Sequence, residues 1–145
     1  MTEDSSHEAM TTGAQIPLPH VHPWNRPFFE GGLAGKLTLQ KCRNCGEIVY
    51  YPRVACPECL STEYDWVDLS GRGTVYSYSI VWRPQHPAFL PMVPIVLAAI
   101  HLEEGPLIVS NIVNCPEEEV KIGMLVRVVF ERVSEHIALP KFQAV

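Results

Sequence analysis

A mainly β fold, with a small closed barrel following a cysteine-rich ribbon, is what three features of this 145-residue sequence predict. Residues 74–82 (TVYSYSIVW) alternate at period two, as a half-buried strand does. Four cysteines, Cys42, Cys45, Cys56 and Cys59, form two C-x2-C pairs ahead of that strand. The 13 prolines punctuate the chain at a density that suits short strands and few long helices.

Residues 1–23 are poor in large apolar side chains and read as a disordered tail, with His7, His20 and His22 solvated in it. Residues 24–30 (WNRPFFE) read as a short helix, with Asn25 to cap it, Pro27 in its first turn and Gly31–Gly32 to end it. Trp24, Phe28 and Phe29 are too many aromatics for a free surface helix, so they must pack within the chain or on a partner. This N-terminal helical segment occupies 24–40, with Leu37 and Leu39 leading into a ribbon at 41–65 and a barrel at 66–145.

Five strands are expected in the barrel. Along residues 74–82, Tyr76, Tyr78, Ile80 and Trp82 share a face, and Gly71 and Gly73 ahead of them mark a bend or bulge. Residues 93–102 are nearly all apolar, as a strand covered on both faces would be, and 107–113 return as its hairpin partner. After one helical turn at 116–120 come strands at 124–132 and about 138–144. A helical turn between the third and fourth of five strands fits a closed barrel of the OB type; a β sandwich is the competing architecture.

The cysteine spacing, C-x2-C-x10-C-x2-C, carries the clearest chemistry. Two residues between cysteines let one tight knuckle aim both sulfurs at a single ion, and a second knuckle completes the tetrahedral S4 shell that zinc prefers. Four thiolates leave no open coordination position, so such a site is structural. Two disulfides are the competing reading, disfavoured in a reducing compartment. Iron would take the same four ligands. Cys115 has no base beside it in sequence and reads as an inert thiol.

Net charge is −5, with 16 acidic against 11 basic residues and no basic cluster beyond Lys41 and Arg43. A nucleic-acid module of the ribbon-plus-barrel kind would need a basic face, so the charge argues against one. No apolar run approaches the roughly 20 residues of a membrane span. The N-terminus is acidic and polar, unlike a secretory signal, and the expectation is a cytoplasmic protein.

No nucleophile elbow, phosphate loop, dinucleotide glycine pattern or H-E-x-x-H motif occurs. The Pro-rich stretch 82–94 (WRPQHPAFLPMVP) places Arg83, His86 and Phe89 in a long loop on the barrel. Loops so placed on a rigid scaffold often contact ligands or partners. With Trp24, Phe28, Phe29 and Met92, they make more apolar surface than a small monomer leaves uncovered, as the anchors of an interface would.

The stretches FFEGGLAGKLTLQKCRNCG (28–46), YPRVACPEC (51–59), LSGRGTVYSYSIV (69–81), VKIGMLVRVVFE (120–131) and LPKF (139–142) resemble a known family in family order. It is a family of acyl-CoA-associated OB-fold proteins with a rubredoxin-like zinc ribbon, long catalogued as a domain of unknown function. Leu60 departs from the pattern, because many ribbons place Gly after the second knuckle. The resemblance implies a non-catalytic accessory subunit of a thiolase-like or aldolase-like enzyme of lipid or steroid side-chain metabolism. It implies a thiolase-fold partner and acyl-CoA at the shared interface; with the apolar helix and the 82–94 loop docked on that partner, Arg83 and His86 are expected near the channel rim. A subunit of an acyl-CoA hydratase is the alternative within the same resemblance.

Overall fold

The computed structural model of the protein describes residues 15–145; His7 and the rest of the expected tail before Gln15 lie outside the described residues. Among the described residues one helix, α1 (Arg26–Leu33), precedes strands β1 (Leu37–Cys42), β2 (Ile48–Val49) and β3 (Tyr64–Leu69), which form a three-stranded antiparallel sheet in the order β2-β1-β3. Strands β4 (Arg72–Val81), β5 (Ile95–Leu102), β6 (Leu107–Ile112), β7 (Leu125–Arg132) and β8 (Ala138–Ala144) close a barrel in the order β4-β5-β6-β8-β7. Short 3-10 turns occupy Pro87–Met92 and Glu117–Glu119, the second between the third and fourth barrel strands as expected.

Residues 15–23 run along the folded body. Val21 packs on the core, and Asn25 fixes the approach: its Oδ1 accepts from the His22 amide at 2.6 Å and its Nδ2 donates to the His20 carbonyl at 3.1 Å. Asn25 therefore does not cap α1, as the sequence predicts; its side chain is spent on the segment before the helix.

The helix aromatics also differ from expectation. Phe28 and Phe29 are 4% and 1% exposed and lie in one core cluster with Leu37 and Leu39 of β1 and with Val75, Ile100, Ile108, Val126 and Phe142 of the barrel. Their rings meet edge-to-face at 5.1 Å, and Tyr51 stands edge-on to both. They are the chain's own core and are not free to anchor a partner. Gly32 lets α1 lie against β8, since a Cβ there would come within 2.6 Å of the Ala138 carbonyl oxygen. The helix thus welds ribbon sheet and barrel into one hydrophobic unit. Strand β3, which straddles the expected boundary at residue 66, pairs with β1 and belongs to the ribbon sheet.

Strand β4 carries its irregularity at Tyr76, where the pairing with β5 slips between Val75 and Ser77. The extra residue breaks the simple alternation expected of Tyr76, Tyr78, Ile80 and Trp82, and Tyr76 and Trp82 are left exposed. The bend expected at Gly71 is present, with φ at 78° directly before β4. Strand β5 is not covered on both faces. Its even-numbered residues from Val96 to Leu102 are buried, while Leu97 on the outer face is 43% exposed. No helix among the described residues is long and apolar enough to cross a membrane.

Candidate functional site

The four cysteines arrive at one point because β1 ends at Cys42 and the two knuckles curl beyond it. In the first knuckle the Gly46 amide donates to the Cys42 carbonyl at 3.0 Å; in the second the Leu60 amide donates to the Cys56 carbonyl at 2.8 Å. Gln40, buried on β1, holds the intervening loop in a two-point clasp: Nε2 donates to the Arg53 carbonyl at 2.8 Å and Oε1 accepts from its amide at 2.7 Å. All four Sγ atoms lie within 4.8 Å of one another, with Cys42–Cys59 at 3.5 Å and Cys45–Cys56 at 3.6 Å. A tetrahedral ion with bonds of about 2.3 Å to sulfur needs sulfurs about 3.8 Å apart, so small side-chain adjustments bring this donor set around one metal.

The knuckles also prepare the sulfurs. The amide of Cys45 holds the Cys42 thiol below its ordinary range, against burial. Cys59 is drawn down to about 6, first by the Asn44 side chain and then by the Ser61 amide. At Cys45 the Glu47 amide pulls downward, but lost hydration and the neighbouring Cys56, Cys42 and Cys59 sulfurs outweigh it and push the thiol up to about 12. Cys45 is thus the thiol hardest to ionise, and a dication among the four sulfurs would favour its thiolate form. The described cysteines include no disulfide.

Leu60 stands at φ 66°, the counterpart of Gly46 at φ 79° in the first knuckle. A side chain in the left-handed region costs about 1–2 kcal/mol, and Leu60 is 76% exposed, so it recovers little by burial. Leu60→Gly is expected to stabilise the metal-loaded chain by about 0.5–1 kcal/mol, the released strain exceeding the added freedom of the unfolded chain. Urea unfolding of both forms measures this, and a destabilised variant would show that Leu60 makes a contact worth more than its strain.

The remaining predicted site residues scatter. His86 caps the 3-10 turn, its Nδ1 accepting from the Ala88 amide at 3.1 Å, and its ring stands edge-on to Phe89. Phe89 is half-buried and lines a cleft on the barrel. Arg83 is exposed at the loop's start, and Trp24 is half-buried, stacked on His22 with ring centroids 5.3 Å apart. None of these brings a base to a nucleophile. Cys115 is half-buried, and burial together with Glu119 and Glu118 pushes its thiol up, away from the reactive thiolate.

Sequence reasoning missed the outer face of the barrel. In register across β4, β5 and β6 run Ser79–Leu97–Asn111 and Ser77–Ala99–Val109, followed by Thr74–His101–Leu107 with Leu125 of β7 beside Thr74. Leu97, Leu107, Val109 and Leu125 are all exposed there, Val109 at 54%. The alternation of β5 and β6 turns these residues outward, and their apolar type hides it in the sequence.

Comparison with known proteins decides what this arrangement belongs to. Residues 29–65 match the ChsH2 rubredoxin-like zinc ribbon domain, and residues 66–131 match the ChsH2 C-terminal OB-fold domain. The chain belongs to the ChsH2 zinc-ribbon and OB-fold family. A "DUF35 domain-containing scaffold protein" of Methanocaldococcus jannaschii is 44% identical over 99 residues, 66% of this chain and 67% of that protein. A protein of Thermomonospora curvata named "Probable enoyl-CoA hydratase alpha subunit" is 34% identical over 127 residues, 88% of this chain. This chain spans only 39% of that relative's length. The "Benzoylsuccinyl-CoA thiolase subunit BbsA" of Geobacter metallireducens is 30% identical over 93 residues, 64% of this chain and 63% of that subunit. Among solved structures, a chain of the "Ltp2-ChsH2(DUF35) aldolase" superposes with a TM-score of 0.74 at 33% identity, covering 88% of this ChsH2-family chain and 98% of that one.

Proposed function

We propose that this ChsH2-family chain is a non-catalytic accessory subunit of an enzyme acting on acyl-CoA thioesters, and that its four-cysteine centre holds zinc. Zinc suits four thiolates in a tetrahedral arrangement with no open position, where it stabilises the fold and takes no part in reaction. The partner is a thiolase-fold enzyme. Relatives named as a thiolase subunit and as part of an aldolase support that choice, and a relative named as a hydratase subunit supports the same role beside a different reaction.

The observation that carries the reading is the outer barrel face, where Leu97, Leu107 and Val109 stand in water on the paired strands β5 and β6, with Leu125 of β7 exposed beyond β4. An apolar field of this kind on a small protein suits a protein interface. The 3-10 turn adds exposed Leu90 and Met92. Trp24, Arg83, His86 and Phe89 then border the partner's acyl-CoA channel, while Phe28 and Phe29 support the scaffold from inside.

Purification of the native protein under mild conditions, followed by identification of what accompanies it, tests this. An acyl-CoA enzyme in fixed stoichiometry is the expected result. The double variant Leu97→Arg, Val109→Arg should weaken that association by about a hundredfold or more. Both side chains point outward, so its stability should stay within about 1 kcal/mol of the parent. Unchanged association would remove this face from the interface, and a lone or nucleic-acid-bound protein would overturn the reading.

A further inference from the structure

Strands β6 and β8 pair only at Ile112 and Phe142, and beside that seam the barrel's outside opens into a cleft of about 600 Å³. Its walls are apolar, built from Phe89 and Met92 of the 3-10 turn, Ile95, Ile112 and Leu139 of the strands, and Ile16 of the N-terminal segment. That volume lies within the range of sites that hold one small molecule.

The cleft is not uniformly greasy. Lys141 on β8 lies half-buried in its lining, Nζ donating to Asn111 Oδ1 at 2.6 Å, and among the described residues it forms no ion pair. An ammonium has three N–H donors, so two remain for a guest. Asn111 is itself held, its Nδ2 donating to the Val96 carbonyl at 3.2 Å, and this keeps Oδ1 turned to the lysine. Burial draws Lys141 below the ordinary lysine range, with Glu131 opposing.

Charge selects the guest. Glu117 and Glu131 border the same cleft, against the single cation of Lys141. A carboxylate arriving there would meet two of its own sign, whereas a neutral carbonyl oxygen accepts from the ammonium without that cost. We propose that the cleft binds an aliphatic or alicyclic molecule carrying one neutral carbonyl, whose oxygen accepts a hydrogen bond from Lys141 while the hydrocarbon lies along Phe89, Ile95 and Leu139. The site lies wholly within this chain, although its walls Phe89 and Met92 also border the proposed partner interface, and its binding is measured without the partner.

The test uses the full metal-loaded chain alone, with 2-decanone labelled with carbon-13 at its carbonyl and decanoate as the anionic counterpart. Saturable ketone binding is expected, with the carbonyl resonance moved downfield and decanoate bound more weakly. Lys141→Met keeps an unbranched side chain out to Cε and removes the donors; it should abolish the downfield movement and weaken ketone binding by about tenfold. Val133→Trp, which fills the cleft from another wall, should abolish binding of both probes, and thermal melting confirms that each variant is folded. Absence of saturable binding to the parent chain would overturn the proposal. So would an unchanged affinity and carbonyl shift in Lys141→Met, or tighter binding of decanoate than of the ketone. No enzyme takes part in the measurement, so its failure leaves the accessory-subunit reading untouched.

Discussion

Metal removal is expected to unfold the two cysteine knuckles. Ile48, Tyr50 and Tyr51 tie the middle of the 42–63 segment to the main core, but its two knuckles have only Cys42, Val49 and Cys56 in a small buried cluster of their own, too little apolar area to order them. Structural zinc in comparable small domains contributes about 10–16 kcal/mol of binding free energy, as much as the whole stability of an ordinary domain. Stripping the ion should therefore erase amide-exchange protection at Gly46 and Leu60, whose knuckle hydrogen bonds have little apolar packing to hold them. Cys59→Ser should do the same at neutral pH, because a hydroxyl replaces the sulfur that Asn44 and the Ser61 amide prepare as a thiolate. The barrel should remain folded but melt lower, since Leu37 and Leu39 of β1 share its core. Full protection of the knuckle amides in metal-free protein would show that the ribbon needs no ion.

Phe29→Ala is expected to cost about 3–5 kcal/mol, a large part of what a domain of this size possesses. Phe29 is 1% exposed and lies where helix, ribbon sheet and barrel meet. Gly32 presses the same helix against β8, so the surroundings have little room to close over the cavity. The effect should appear as a single cooperative transition at lower denaturant, with ribbon and barrel signals moving together. A loss below about 1 kcal/mol, or two separated transitions, would contradict the shared core. A surface anchor for a partner would instead leave the chain's own stability nearly unchanged.

That contrast marks where the sequence stops being legible. The clustering of the four cysteines could be read in full, because ligand chemistry fixes both residue type and spacing. The five barrel strands and the helical turn between the third and fourth were equally visible, since each is a local pattern. What each face touches is not local. Phe28 and Phe29 signal only that something must cover them, and the same pattern serves a core or a partner. A strand as apolar as β5 reads as buried on both sides, yet its outward Leu97 is open. One extra residue at Tyr76 shifts every later side chain of β4, and nothing around it announces a bulge. Gln40 and Asn25 are polar residues whose value lies in backbone partners 13 and up to five positions away. Lys141 is a single lysine in a short strand until β6 brings Asn111 beside it.

The accessory-subunit reading is tested most directly by turnover of an acyl-CoA substrate by the purified metal-loaded chain, alone and recombined with the enzyme that accompanies it. Thioester or carbon–carbon bond chemistry needs a placed nucleophile or base and a site for the developing oxyanion, and no such pair is assembled among the described residues. The expected result is no turnover by the isolated chain and activity on recombination, greater than that of the partner alone. Turnover by the isolated chain at about 1 per second or faster, an ordinary enzymatic rate, would contradict it.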